Sequence, residues 1–192
     1  MNSVNLLTVQ QRMCENDESA LSELYRLYYR KLALFAKSIV RTKELAEEVV
    51  EDVFIKLWCN RALMPQVKNL NVYLYTAVKN TSLNILSRRS RQLVSSSFDF
   101  LNMEEEAGFD NPYDLIITAE MMQKMNKAIE ALPPRCKIIF RLVREDGLKY
   151  KDISEILNIS INTIDAQMAI AVKKICTALS IEKSSKHFVL SC

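Results

Sequence analysis

Across residues 17–40 the apolar positions are Leu21, Leu24, Tyr28, Leu32, Phe35 and Ile39. Steps of three and four place them on one helix face, and Asp17 can cap its start. Thr42 can cap a second helix reaching about Trp58, with Leu45, Val49, Val53 and Leu57 turned inward. Its opposite surface carries Glu48, Glu51, Asp52 and Ile55 in one stripe at helical spacing. An aperiodic loop follows over 60–70, containing Pro65, and a third helix begins near Asn71 with Leu74, Val78 and Ile85 inside. In the last third, residues 121–131 are predicted helical and stop at Leu132-Pro133-Pro134. A helix over 135–144 follows, and Gly147 supplies its left-handed exit. Tyr150–Leu157 is then a short helix with Ile153, Ile156 and Leu157 inward. Asn158 suits a left-handed turn, Ile159 plugs the core, and Ser160 caps a longer helix. That last helix directs Ile161, Ile164, Met168, Val172, Ile175 and Leu179 inward.

Three of these elements have a functional reading beside a plain one. A short helix, a tight turn and a longer helix form a helix-turn-helix, whose second helix can enter a major groove. Its outward residues are predicted to be Asn162, Thr163, Asp165, Ala166, Gln167 and Ile170; the plain alternative is a hairpin that only packs a core. The third helix carries Lys79, Arg88, Arg89 and Arg91, with Tyr73, Tyr75 and Asn80 nearby. Aromatic and basic groups together suit single-stranded nucleic acid, whereas a basic helix end is also favoured by the helix dipole alone. The acidic stripe is either a solvated face or the complement of a basic partner. Ile55 beside the acids points to contact.

Composition narrows the class. The 192 residues are enough for two small domains, and only two glycines and four prolines occur. So few turn formers argue against a sheet protein and predict an all-α one. Five dispersed cysteines and a single histidine, His187, offer no metal-ligand spacing, so no metal or cofactor is expected. No glycine-rich phosphate loop and no nucleophile–base pair are present, which argues against an enzyme. The N-terminus has neither a basic start nor an apolar stretch of signal-peptide type, and no run is long enough to span a membrane. A cytoplasmic protein with reduced thiols and no membrane insertion is expected. Charge is segregated: residues 1–92 hold 14 basic and 9 acidic side chains, 93–123 hold none and 7, and 124–192 hold 12 and 7. Two basic blocks, suited to a polyanion, flank an acidic stretch that reads as a tether. The expected division is a helical domain over 1–92, an acidic linker over 93–120, a helix-turn-helix domain over 121–182 and a tail over 183–192.

Both halves resemble the sigma factors of bacterial RNA polymerase, specifically the small extracytoplasmic-function (ECF) group. LSELYRLYYRKLALFAKSIV, ELAEEVVEDVFIKLW and YLYTAVKNTSLNILSRRSR look like sigma region 2, and ALPPRCKIIFRLVREDGLKYKDISEILNISINTIDAQMAIAVKKI looks like sigma region 4. Together they cover about 19–180. The resemblance implies that Glu48, Asp52 and Ile55 dock on core RNA polymerase, with Phe54 and Trp58 mainly internal. It implies that the 60–70 loop captures an unstacked base of the minus-ten element, and that Asn69, Lys79, Asn80, Arg88 and Arg89 contact that DNA. It assigns Asn162, Thr163, Ala166, Gln167, Lys173 and Lys174 to the minus-thirty-five element. Core polymerase, promoter DNA and an anti-sigma factor are the implied partners. One departure matters: family recognition helices usually carry basic residues near positions 162 and 170, where this chain has Asn162 and Ile170, and Asp165 is acidic. The rival readings are a helix-turn-helix regulator acting without core polymerase, which leaves the first ninety residues without a role, and a helical scaffold indifferent to nucleic acid.

Overall fold

A computed structural model describes residues 6–90 and 119–179, and every regular element among them is helical. The helices are α1 (Leu6–Cys14), α2 (Glu18–Val40), α3 (Lys43–Cys59), α4 (Leu70–Ser90), α5 (Ala119–Glu130), α6 (Pro134–Arg144), α7 (Tyr150–Leu157) and α8 (Ile161–Ala178), with a 3-10 turn at Arg61–Gln66. The acidic stretch and Arg91 lie largely or wholly outside the described residues.

The caps form where local chemistry requires them. Asp17 accepts the Ser19 amide at the start of α2, and Thr42 accepts the Leu45 amide at the start of α3. Each side chain satisfies one of the amides that a first helical turn leaves unpaired. Arg41 ends α2 in the left-handed region at φ 73°, leaving one extended residue before α3. Asn158 takes the same region at φ 55°, where an asparagine costs little. Ser160 accepts the Thr163 amide and opens α8.

In the N-terminal half, α2 packs on α3 and α4, α3 packs on α4, and α1 lies across α2 and the 3-10 turn. Leu24, Leu32, Val49, Val50, Leu74 and Val78 are fully enclosed between them. Burying each such side chain contributes roughly 1.5–3 kcal/mol, enough to fix the rotation of every helix. In the C-terminal half α8 packs on α5, α6 and α7. Its inner seam is Ile164, Met168, Ala171 and Ile175.

Two features of this framework differ from the pattern of apolar positions. Helix α1 has too short an apolar pattern, about two turns, to stand out in the sequence. Ile161, expected inside, is 49% exposed. It stands in the first turn of α8, where the half-buried Ile159 already packs against the core, and the seam begins one turn later at Ile164.

The two halves also touch. Helix α4 packs along α7, α2 reaches α6, and one apolar cluster runs from Val9 to Met168 through both.

Candidate polymerase and nucleic-acid interfaces

The acidic surface belongs to α3. Leu45, Val49, Val53 and Leu57 are buried against α2 and α4, so the opposite side is forced outward. Glu44, Glu48, Glu51 and Asp52 are exposed there, and Ile55 is 61% exposed among them. Asp52 makes only an exposed contact of 3.8 Å to Lys56, one turn on, a pair that contributes little. Phe54 is buried with its ring edge on Tyr25, and the half-buried Trp58 carries the Arg61 guanidinium 4.6 Å above its ring. The two aromatics therefore anchor the helix and the turn after it, leaving the acids and Ile55 facing out.

The loop after α3 is tied down from beneath. Met64 is buried, while Ala62, Leu63, Pro65, Gln66 and Lys68 are exposed around it. The amide nitrogen of Gln10 donates to the carbonyls of Met64 (3.1 Å) and Val67 (3.0 Å), and the Cys14 thiol donates to the Arg61 carbonyl (3.1 Å). Arg61 in turn donates to Asn16 (2.6 Å) and to the Trp58 carbonyl (3.0 Å). At the far end Asn69 caps α4 by accepting the Val72 amide (3.2 Å).

Along α4 the predicted DNA contacts divide. Asn80 and Arg88 are exposed, and the Arg89 side chain lies outside the described residues. Lys79 is half-buried and donates to the Ile156 carbonyl at 2.6 Å, filling an orphan acceptor at the end of α7. Burial holds its pKa below the ordinary lysine value. Asn69 donates to Asp152 of α7 at 3.0 Å. Tyr75 corrects the sequence reading: it is fully buried against Phe35, with ring centroids 5.2 Å apart, and offers no face for stacking. Its hydroxyl donates to the Asp146 carboxylate at 2.6 Å. Burial, opposed by that hydrogen bond, by Lys31 and by Arg141, and assisted by Glu145, pushes the half-buried Asp146 up to about 6. The Tyr75 phenol is raised by burial first and by Asp146 second. Lys31 also reaches the Asp146 backbone carbonyl at 3.5 Å.

On α8, Asn162, Asp165, Ala166, Lys173 and Lys174 are exposed, and Ile170 is 41% exposed. Thr163 is half-buried, with its hydroxyl 2.8 Å from that of the cap Ser160. Gln167, expected to point freely outward, is half-buried and accepts the Cys136 thiol at 2.8 Å. Cys136 sits in α6, directly behind that turn of α8, and a thiol there finds the nearest amide oxygen.

A helix-turn-helix joined to a helical domain with an outward acidic–aliphatic stripe is the arrangement expected of a class of transcription factor with one protein-facing and one DNA-facing half. Comparison with known proteins places it within that class. The Sigma-70 region 2 family matches residues 24–92, and Sigma-70, region 4 matches residues 122–175. The chain is 26% identical over 164 residues to the ECF RNA polymerase sigma-E factor of Escherichia coli strain K12, covering 82% of this chain and 85% of the relative. It is 23% identical over 128 residues to the ferric citrate uptake sigma factor FecI of the same strain, covering 67% and 72%. Its fold matches the sigma factor RpoE solved with the anti-sigma factor NepR from Bartonella quintana, at TM-score 0.58 and 23% identity over 84% of this chain and 98% of that one. It also matches CnrH solved with the cytosolic domain of CnrY, at TM-score 0.54 and 13% identity over 92% and 97%. The chain belongs to the sigma-70 family, in its ECF group.

Proposed function

We propose that this alternative sigma factor works through three surfaces, each with its own partner. Glu48, Asp52 and Ile55 of α3 dock on core RNA polymerase, the acids meeting basic side chains and Ile55 filling an apolar seat. The 60–70 loop with Asn69, and α4 with Lys79, Asn80, Arg88 and Arg89, engage the minus-ten element as it opens. Extruding a base costs a few kcal/mol, so a loop that binds the exposed base also holds the strands apart. The exposed residues of α8 meet the minus-thirty-five element, with Lys173 and Lys174 on the phosphates. The working division is 1–92 for polymerase and the minus-ten element, 93–120 as tether, 121–182 for the minus-thirty-five element and 183–192 as tail. The protein carries out no covalent chemistry of its own and acts in the cytoplasm, where its polymerase is. An anti-sigma factor is a further partner, as NepR is for the solved RpoE.

The observation that carries this reading is the occurrence, in one chain and in this order, of the region 2 and region 4 matches, with the α3 stripe left open to solvent. The contact of α4 with α7 adds a requirement. Asn69 and Lys79 are engaged by α7, so the arrangement described is a closed form, and promoter binding requires the two halves to part. Run-off transcription across a promoter library tests the assignment: transcripts should need both this chain and core polymerase. Duplex footprints formed by this chain alone, with no effect of core, would contradict the assignment.

A further inference from the structure

We propose that Gln10 is a positioning residue for minus-ten recognition: helix α1 is a strut that fixes the 60–70 loop through this one buried amide. The inference rests on the reading of that loop as the base-capturing element. Helix α1 precedes the region 2 match, which begins at residue 24, so no family assignment covers it. Yet α1 packs against the 3-10 turn as well as against α2. Val9 and Met13 bury its apolar side, and between them Gln10, a polar residue, is only 5% exposed. Its Nε2 carries two N–H groups and delivers both, one to Met64 and one to Val67. The Val67 amide closes the 3-10 turn onto the same Met64 carbonyl at 3.1 Å. Gln10 therefore staples both ends of a four-residue arc whose exposed middle is Pro65 and Gln66. A loop that must present a pocket to one unstacked base loses affinity if it samples other shapes, because it then has to be ordered on binding. Cys14 and Arg61 secure the preceding segment but reach neither Met64 nor Val67, so they do not duplicate the staple.

The test uses the full chain bound to core polymerase and a fluorescent single strand carrying the minus-ten sequence, intact or with one base changed. Gln10→Met keeps length and volume but removes both donors; Gln10→Glu keeps shape but sets a carboxylate against two carbonyls. Discrimination between the two strands should fall roughly tenfold in Gln10→Met, the equivalent of about one buried hydrogen bond. It should fall further in Gln10→Glu, while core affinity and helix content match wild type. A Leu63→Ala, Gln66→Ala variant of the exposed loop serves as the reference. If that variant loses discrimination and Gln10→Met does not, the staple is refuted and the loop reading stands. Unchanged discrimination in every variant refutes the loop reading and the inference with it. Loss of core affinity and helix content together with discrimination in Gln10→Met would make Gln10 a packing residue only, which also overturns the proposal.

Discussion

The closed form should yield to Tyr75→Phe, in a manner that depends on pH. The substitution keeps the ring packed on Phe35 and deletes only the hydroxyl that donates to Asp146. A hydrogen bond to a charged group contributes about 1.5–3 kcal/mol, so above pH 7 the closed form should weaken by roughly ten- to hundredfold relative to the open one. The wild-type pH dependence follows from the raised carboxyl. Asp146 stands at about 6 in the closed form against an ordinary 3.8, so closing takes up a proton between those values. The stabilisation is fully present below about 3.8 and is lost as pH rises through about 6. Its ceiling is about 3 kcal/mol for opening that returns the carboxyl to water, and less where solvent already reaches the half-buried group. Lys31, Arg141, Glu145 and Tyr75 are the charged and hydroxyl groups that act on it. Energy transfer between a donor on α3 and an acceptor on α8 in the full chain reports the separation. Transfer should fall from pH 5.5 to 7.5 in wild type and fall further at pH 7.5 in Tyr75→Phe. Equal transfer in both proteins at both pH values would refute the argument that this pair holds the halves together.

Two other consequences concern the intermolecular surfaces. Reversing Glu48 and Asp52 to Lys should weaken core binding severely while thermal stability shifts by about 0.5 kcal/mol or less, since both are exposed; co-purification with core at wild-type affinity would remove α3 as the docking element. On α8, Asn162 is exposed whereas Gln167 is held by Cys136, so Asn162→Ala should lose about 1–3 kcal/mol of discrimination at one or two minus-thirty-five positions. Selection from a randomised minus-thirty-five library checks it, and an unchanged sequence preference would take Asn162 out of the reading set.

Most of the helical framework is legible in the chain because it is written in local chemistry. Asp17, Thr42 and Ser160 act as caps where they stand, Asn158 takes the left-handed turn, and the periodicity of α3 forces Glu48, Asp52 and Ile55 outward. What escaped is what depends on contacts distant in sequence. Tyr75 lies on the inner face of α4, but its partners Phe35 and Asp146 are 40 and 71 positions away, so it read as an aromatic available for bases. Lys79 read as a free cation because nothing local foretells the end of α7 beside it. Gln167 has outward helical spacing yet is drawn back by a thiol in α6. Gln10 carried one available signal, a polar residue between Val9 and Met13 in a short apolar pattern. Its meaning needs the loop that it binds.

The most direct test of the account is strand opening at a promoter selected with the reconstituted holoenzyme. Permanganate reactivity of unpaired thymines would be measured with this chain alone, core polymerase alone, and the two together. The account predicts a reactive minus-ten region and a defined run-off transcript only when both are present, with the duplex closed in either single-protein reaction. Opening or sequence-specific protection by this chain in the absence of core, or none with core across the whole library, would contradict it.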